Sequence, residues 1–122
     1  MASLAKPRQT SEVDRVRDII EDLLPTGRCT LQQVARTLAV DRKTVHRRLA
    51  DAGETFSSVL AATRAQLARQ YLGQQRRSVT ETAELLGFTA TSTFSRWFRA
   101  QFGTSATAWQ AGQRSEFELG RP

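Results

Sequence analysis

The 122-residue chain has one cysteine, Cys29, so no intrachain disulfide can form and a reducing cytoplasm suits it better than secretion. It has one histidine, His46, too few for a metal site built on imidazoles. No carboxylate pair sits beside an evident base, no glycine loop is shaped to cradle phosphate, and no metal-ligand cluster occurs, so an enzyme is not expected and no cofactor is called for. No apolar run approaches the roughly 18 to 20 residues that span a bilayer, and "MASLAKPRQT" lacks the apolar centre of a signal peptide. A soluble, cytoplasmic protein with no membrane partner is the expectation. Sustained period-two alternation is missing as well, which argues against any sheet.

What is plentiful is positive charge. Eighteen Lys and Arg against twelve Asp and Glu give +6 and a sequence pI near 11.0, a balance that favours a polyanionic partner without naming it. The charge is uneven. Between Ser11 and Leu24 five acids face two arginines, leaving that segment at −3 and the rest at +9, so one helix is expected to turn away from the polyanion. The length suits one domain or two very small lobes.

Apolar residues recur at helical spacing, as in Val13, Val16, Ile20 and Leu24 or Val59, Thr63, Leu67 and Tyr71. An all-α fold of about seven helices is predicted, roughly over 11–24, 31–38, 42–52, 56–73, 79–86, 91–102 and 105–112. Gly27, Gly53, Gly73, Gly87, Gly103 and Gly112 punctuate these segments as candidate helix ends. Thr30 with Gln33 and Ser78 with Glu81 read as capping boxes, and Asp41 and Thr55 as N-caps. The organisation expected is an N-terminal tail or linker over 1–10, a first helix-turn-helix subdomain over 11–54, a linker helix over 55–74, a second subdomain over 75–112 and a C-terminal tail over 113–122.

An internal repeat decides this organisation. "TLQQVARTLAVDRKTVHRRL" from Thr30 aligns with "SVTETAELLGFTATSTFSRWF" from Ser78 if the second copy has one extra turn residue. Each copy reads as a short helix, a tight turn and a second helix, the helix-turn-helix arrangement. On a helical wheel Val45, Leu49 and Ala52 fall on the docking side, while Lys43, His46, Arg47 and Ala50 form a stripe on the other. In the second copy Phe94, Phe98 and Gln101 point one way, and Ser92, Ser95, Arg96 and Arg99 the other.

Presented to a major groove, Lys or Arg donates to guanine O6 and N7, and His or Ser pairs with base edges. Candidate base contacts are therefore Lys43, His46, Arg47, Thr91, Ser92, Ser95 and Arg96, with Arg96 carrying most of the preference in the second copy. Candidate phosphate contacts, which set position without reading sequence, are Arg42, Thr44, Thr89, Thr93 and Arg99. A linker helix of about 18 residues would span about 27 Å, comparable with the roughly 34 Å between successive major-groove faces once helix widths are added.

Two helix-turn-helix units joined by one helix, with "GFTATSTFSRWFRAQFGTSATAW" in the second, resemble the DNA-binding domain of AraC/XylS-type transcription regulators. The resemblance covers about residues 11–112 and rests on the "GF" opening, the "FSRWF" helix and the Gly103 to Ser105 step occurring in order. It implies a bacterial, cytoplasmic transcription factor that reads bases through Lys43, His46 and Arg47 in one unit and Ser92, Ser95 and Arg96 in the other. The partners it implies are a double-stranded DNA operator, RNA polymerase, and an effector-binding or dimerisation domain missing from this chain. Ala106, Trp109 and Gln110 depart from the family's usual proline, tyrosine and arginine, which bears on how the last helix packs.

Other readings explain less. A single-strand or RNA binder calls for aromatics exposed among the basic residues, whereas Trp97 and Trp109 are spaced as core. A helical protein-interaction module, or a nucleic-acid binder without base readout, leaves the two stripes idle. Arg64, Arg69, Arg76 and Arg77 read as solvated charges, and Arg48, off the stripe, as a partner for an acid of another helix.

Overall fold

The computed structural model describes residues 11–119, with side chains through residue 113. The expected N-terminal tail over 1–10 lies outside the described residues, as do residues 120–122. Among the described residues there are seven α-helices and no strand: α1 Glu12–Leu23, α2 Leu31–Leu38, α3 Arg42–Asp51, α4 Phe56–Arg69, α5 Val79–Leu85, α6 Thr91–Phe102 and α7 Ala106–Leu119. A short 3-10 turn, Leu24–Thr26, follows α1, and a π turn, Gln70–Gln74, follows α4.

Three details differ from the sequence reading. The linker helix is regular only to Arg69 and then widens into the π turn, where Gln75 N–H reaches back five residues to the Gln70 carbonyl at 3.0 Å. The last helix runs on to Leu119 through Gly112, where the sequence reading ended it. Thr30 and Ser78 do cap α2 and α5, but the reciprocal half of the capping box forms instead at Ser11 with Asp14 and at Thr55 with Ser58. The short Asp14 and Ser58 side chains fold back onto the cap, whereas Glu81 is drawn to Arg77 at 2.8 Å.

One continuous apolar core unites the helices. In the first half Val16, Ile20 and Leu24 are buried in it together with Val45 and Leu49 of α3, and in the second half Phe94 and Phe98 of α6 are fully buried with Leu72 and Leu86. Around them Phe88, Trp97, Phe102 and Trp109 form an aromatic chain, with the Phe98 and Phe102 rings stacked at 4.2 Å. Truncating a buried ring of this kind costs about 3–5 kcal/mol through the cavity it leaves; Trp97 and Trp109 pack against this core, as their spacing indicates. Ala52 and Gln101, placed by the wheel on the docking sides, are exposed because each lies at or near its helix's last turn.

The repeat is visible atom by atom in the turns. Val40 N–H donates to the Ala35 carbonyl at 3.0 Å and Ala39 N–H to Arg36; Phe88 N–H donates to Ala83 at 3.0 Å and Gly87 N–H to Glu84. Both are Schellman closures. The left-handed position is Ala39 at φ 60° in the first copy and Gly87 at φ 83° in the second. The extra residue of the second copy falls after Phe88, before the N-cap Ala90 of α6.

The two units also touch directly. A Cβ at Gly87 would meet the Leu24 carbonyl oxygen at 2.8 Å, so the second turn lies against the end of α1 with no room for a side chain. Arg64 of α4 adds a second tie across 22 residues: its Nε donates to the Leu86 carbonyl at 3.2 Å and its guanidinium lies 4.5 Å from the Phe88 ring centroid. It is half-buried rather than the solvated charge expected of it. Burial draws Arg64 below the usual guanidinium range, and burial pushes the Cys29 thiol up while the nearby Arg64 charge offsets part of that rise. On the far side, Gln110 of α7 donates its amide to the carbonyls of Leu72 at 3.1 Å and Arg77 at 2.7 Å. The departure from arginine at that position thus seats the last helix with a neutral donor.

The paired turns make opposite forecasts for two substitutions. Gly87→Ala combines a left-handed backbone with a clash against Leu24 and should lower unfolding free energy by about 1–3 kcal/mol in urea titration. Ala39→Gly relieves an alanine from the same conformation where glycine has no Cβ penalty, and should raise it by about 0.5–1 kcal/mol.

Candidate nucleic-acid interface

α3 and α6 are the second helices of the two repeated units, and each is held by its own apolar side. Val45 and Leu49 bury one face of α3 against α1 and α2; Phe94 and Phe98 do the same for α6 against α5 and the core. What remains outward on α3 is Arg42, Lys43, His46, Arg47 and Ala50, all exposed. On α6 and the turn before it, Thr89, Ser92, Thr93, Arg96 and Arg99 are exposed. The wheel's assignment of inward and outward sides therefore holds for these residues.

Three expected contact residues are less open. Thr91 and Ser95 are half-buried, and so is Thr44, whose N–H donates to the Asp41 carboxylate at 2.8 Å. Thr44 is thereby engaged in capping α3. Arg48, next to the stripe, turns to Glu12 of α1 at 3.6 Å, an exposed pair contributing about 0–1 kcal/mol but enough to separate it from its cationic neighbours. Arg77, read as solvated, pairs with Glu81 and lies over the Tyr71 ring, and Arg69 lies over Phe102.

The residue that sequence reasoning left off the surface is Asp41. It is exposed, it opens α3, and it is the only acid between Thr30 and Ala50. Hydrogen bonds from the Thr44 hydroxyl and N–H, with the charges of Lys43 and Arg47 adding, hold its carboxyl below the ordinary carboxylate range. The signal was present as an N-cap, but a cap and a surface charge are the same atoms.

Other chemistries find little here. Among the described residues no cluster of three His, Cys, Asp or Glu side chains is arranged to hold a metal, and no helix is long and apolar enough to cross a membrane. A concavity of about 660 Å³ between the π turn and α7 is lined by Gln66, Arg69, Gln70, Trp109 and their neighbours and shares no residue with either stripe.

Comparison with known proteins agrees with this geometry. A family model described as a helix-turn-helix domain matches residues 34–112. The transcriptional activator NphR of a Rhodococcus species is 35% identical over 103 residues, which are 84% of this chain and 31% of that protein. The chain thus spans about a third of the length of such curated relatives. Among solved structures, the transcriptional regulator CdpR from Pseudomonas aeruginosa superposes with a TM-score of 0.69 at 36% identity, covering 82% of this chain and 31% of that one. A DNA-binding transcriptional dual regulator from Escherichia coli K-12 gives a TM-score of 0.77 at 23% identity, covering 86% and 94%, a likeness of fold alone. With its two matched turns and the helix that joins them, the chain belongs to the helix-turn-helix domain family, in its AraC/XylS form.

Proposed function

We propose that this chain binds duplex DNA sequence-specifically in the control of transcription, with α3 and α6 entering successive major grooves. The observation that carries the reading is the repeated Schellman turn, which sets a helix with a buried apolar face and an exposed polar stripe after it in both units. Lys43, His46 and Arg47 read bases from α3; Ser92, Ser95 and Arg96 read them from α6, with Thr91 at that helix's start. Arginine donating two hydrogen bonds to guanine is the strongest reader in each set. Arg42, Thr89, Thr93 and Arg99 hold phosphates and fix register, with Thr44 contributing from its partly covered position.

Both units act on one DNA face because the joint between them is stiff: a backbone-to-backbone approach at Gly87 and the Arg64 tie leave little freedom for independent rotation. DNA whose grooves do not match that spacing has to bend or lose one reader. In the full-length protein the reading extends to RNA polymerase as a partner and to an effector-binding or dimerisation domain carried outside this chain. No catalytic step belongs to it.

Binding-site selection from random duplexes tests the core of this reading, the expected result being two short preferred blocks about ten base pairs apart. On the selected site, Arg47→Ala and Arg96→Ala should each cost about 1–3 kcal/mol and relax preference at one base position. Equal losses on selected and random DNA would argue against base reading. Inserting five base pairs between the blocks rotates the second by half a turn and should abolish tight binding; unchanged affinity would mean that the two units bind independently.

A further inference from the structure

The first unit carries its only acid between Thr30 and Ala50 at the head of the helix that bears its readers. Asp41 is exposed, its Oδ1 accepts from Thr44 N–H, and it lies within electrostatic reach of Lys43 and Arg47. Its depressed titration leaves it ionised at neutral pH. The second unit has no counterpart. Ala90 opens α6 without a side-chain cap, and no acid occurs from Gly87 to Gln113. Capping alone does not explain the charge at Asp41, because Asn and Ser cap a helix about as well as Asp.

We propose that Asp41 is a specificity-determining residue, whose negative charge beside Lys43 and Arg47 weakens the first unit's sequence-independent hold on the DNA backbone. The inference rests on the DNA-binding reading above. Binding to arbitrary duplex is almost wholly attraction between phosphates and Lys or Arg, and a fixed anion at the head of α3 opposes it twice. It repels phosphate, and it gives Lys43 and Arg47 a competing partner inside the protein. Base contacts depend instead on hydrogen-bond geometry to guanine O6 and N7. A complex held only by phosphates therefore loses a larger share of its affinity to Asp41 than one in which both cations have found bases. The first unit then adds little until the sequence is right, while the second unit, with no acid from the turn before α6 through residue 113, holds DNA more indiscriminately.

The test compares Asp41→Asn with Asp51→Asn. Both remove one negative charge, but Asp51 ends α3 and is far from its head, and Asn keeps the cap at position 41. Binding is measured on a random duplex and on a selected one across a salt series, with thermal unfolding recorded for each variant. Asp41→Asn should tighten random-duplex binding about 3- to 10-fold at low salt, and selected-duplex binding by less, with the advantage fading as salt screens it. Asp51→Asn should change random binding less than about twofold, and the unfolding temperature of Asp41→Asn should stay near that of the parent. Equal effects from the two variants, no tightening by Asp41→Asn, or equal tightening on both duplexes would each overturn the proposal. A parent protein that does not prefer duplex DNA at all is a different result: it removes the DNA-binding reading and this inference with it.

Discussion

The molecule depends on a reversal of chain direction made twice with the same backbone bonds. A left-handed residue after the first helix of each unit lets two amide groups close on the carbonyls behind them, and the chain leaves the turn already aimed. Everything functional lies downstream of that aim. Val45 and Leu49, or Phe94 and Phe98, reach the core only if the second helix departs at the correct angle, and once they do, the opposite face has no choice but solvent. Presentation of a polar stripe is thus a by-product of packing: no surface interaction is needed to hold Lys43, Arg47 or Arg96 outward.

The joint between the units applies the same logic at larger scale. A chain joined only by a helix could twist; this one adds a contact in which the second turn presses against the Leu24 carbonyl with only a hydrogen between them. Arg64 completes it in an unusual way for a cation, stacking on an aromatic ring and donating to a carbonyl. Taking a guanidinium half out of water is costly unless its donors and its charge find partners, and the turn of the second unit supplies a carbonyl for Nε and a ring face for the charge. The Thr82 hydroxyl nearby in α5 is buried without a hydrogen-bond partner among the described residues, a local loss that the surrounding apolar contacts outweigh.

Much of this was legible in order of residues. Helical spacing gave the seven helices and their buried faces, and the repeat gave the two units, because both are periodic properties that a one-dimensional string preserves. The outward sides of α3 and α6 followed from the same periodicity. What escaped notice depends on contacts distant in sequence. "RAQLAR" around Arg64 reads as an ordinary exposed helix, and only the arrival of Leu86 and Phe88 covers it. The π turn is hidden because Gln70, Tyr71 and Leu72 suit an α-helix equally well. Gly112 looks like a stop, yet it stays within α7, where glycine costs only about 1 kcal/mol against alanine. The exposure of Asp41 beside the readers was missed because its role as a cap accounted for it too readily.

The double donation from Gln110 reaches back 38 residues to Leu72, at the end of the connecting helix. A ribosome extrudes this chain from the amino end, so the rod between the units emerges well before the amide that finishes it. All of α1 to α4 is synthesised before that amide exists. The rod's far end is tied by a residue of the seventh helix, so that tie can form only after both readers have been made.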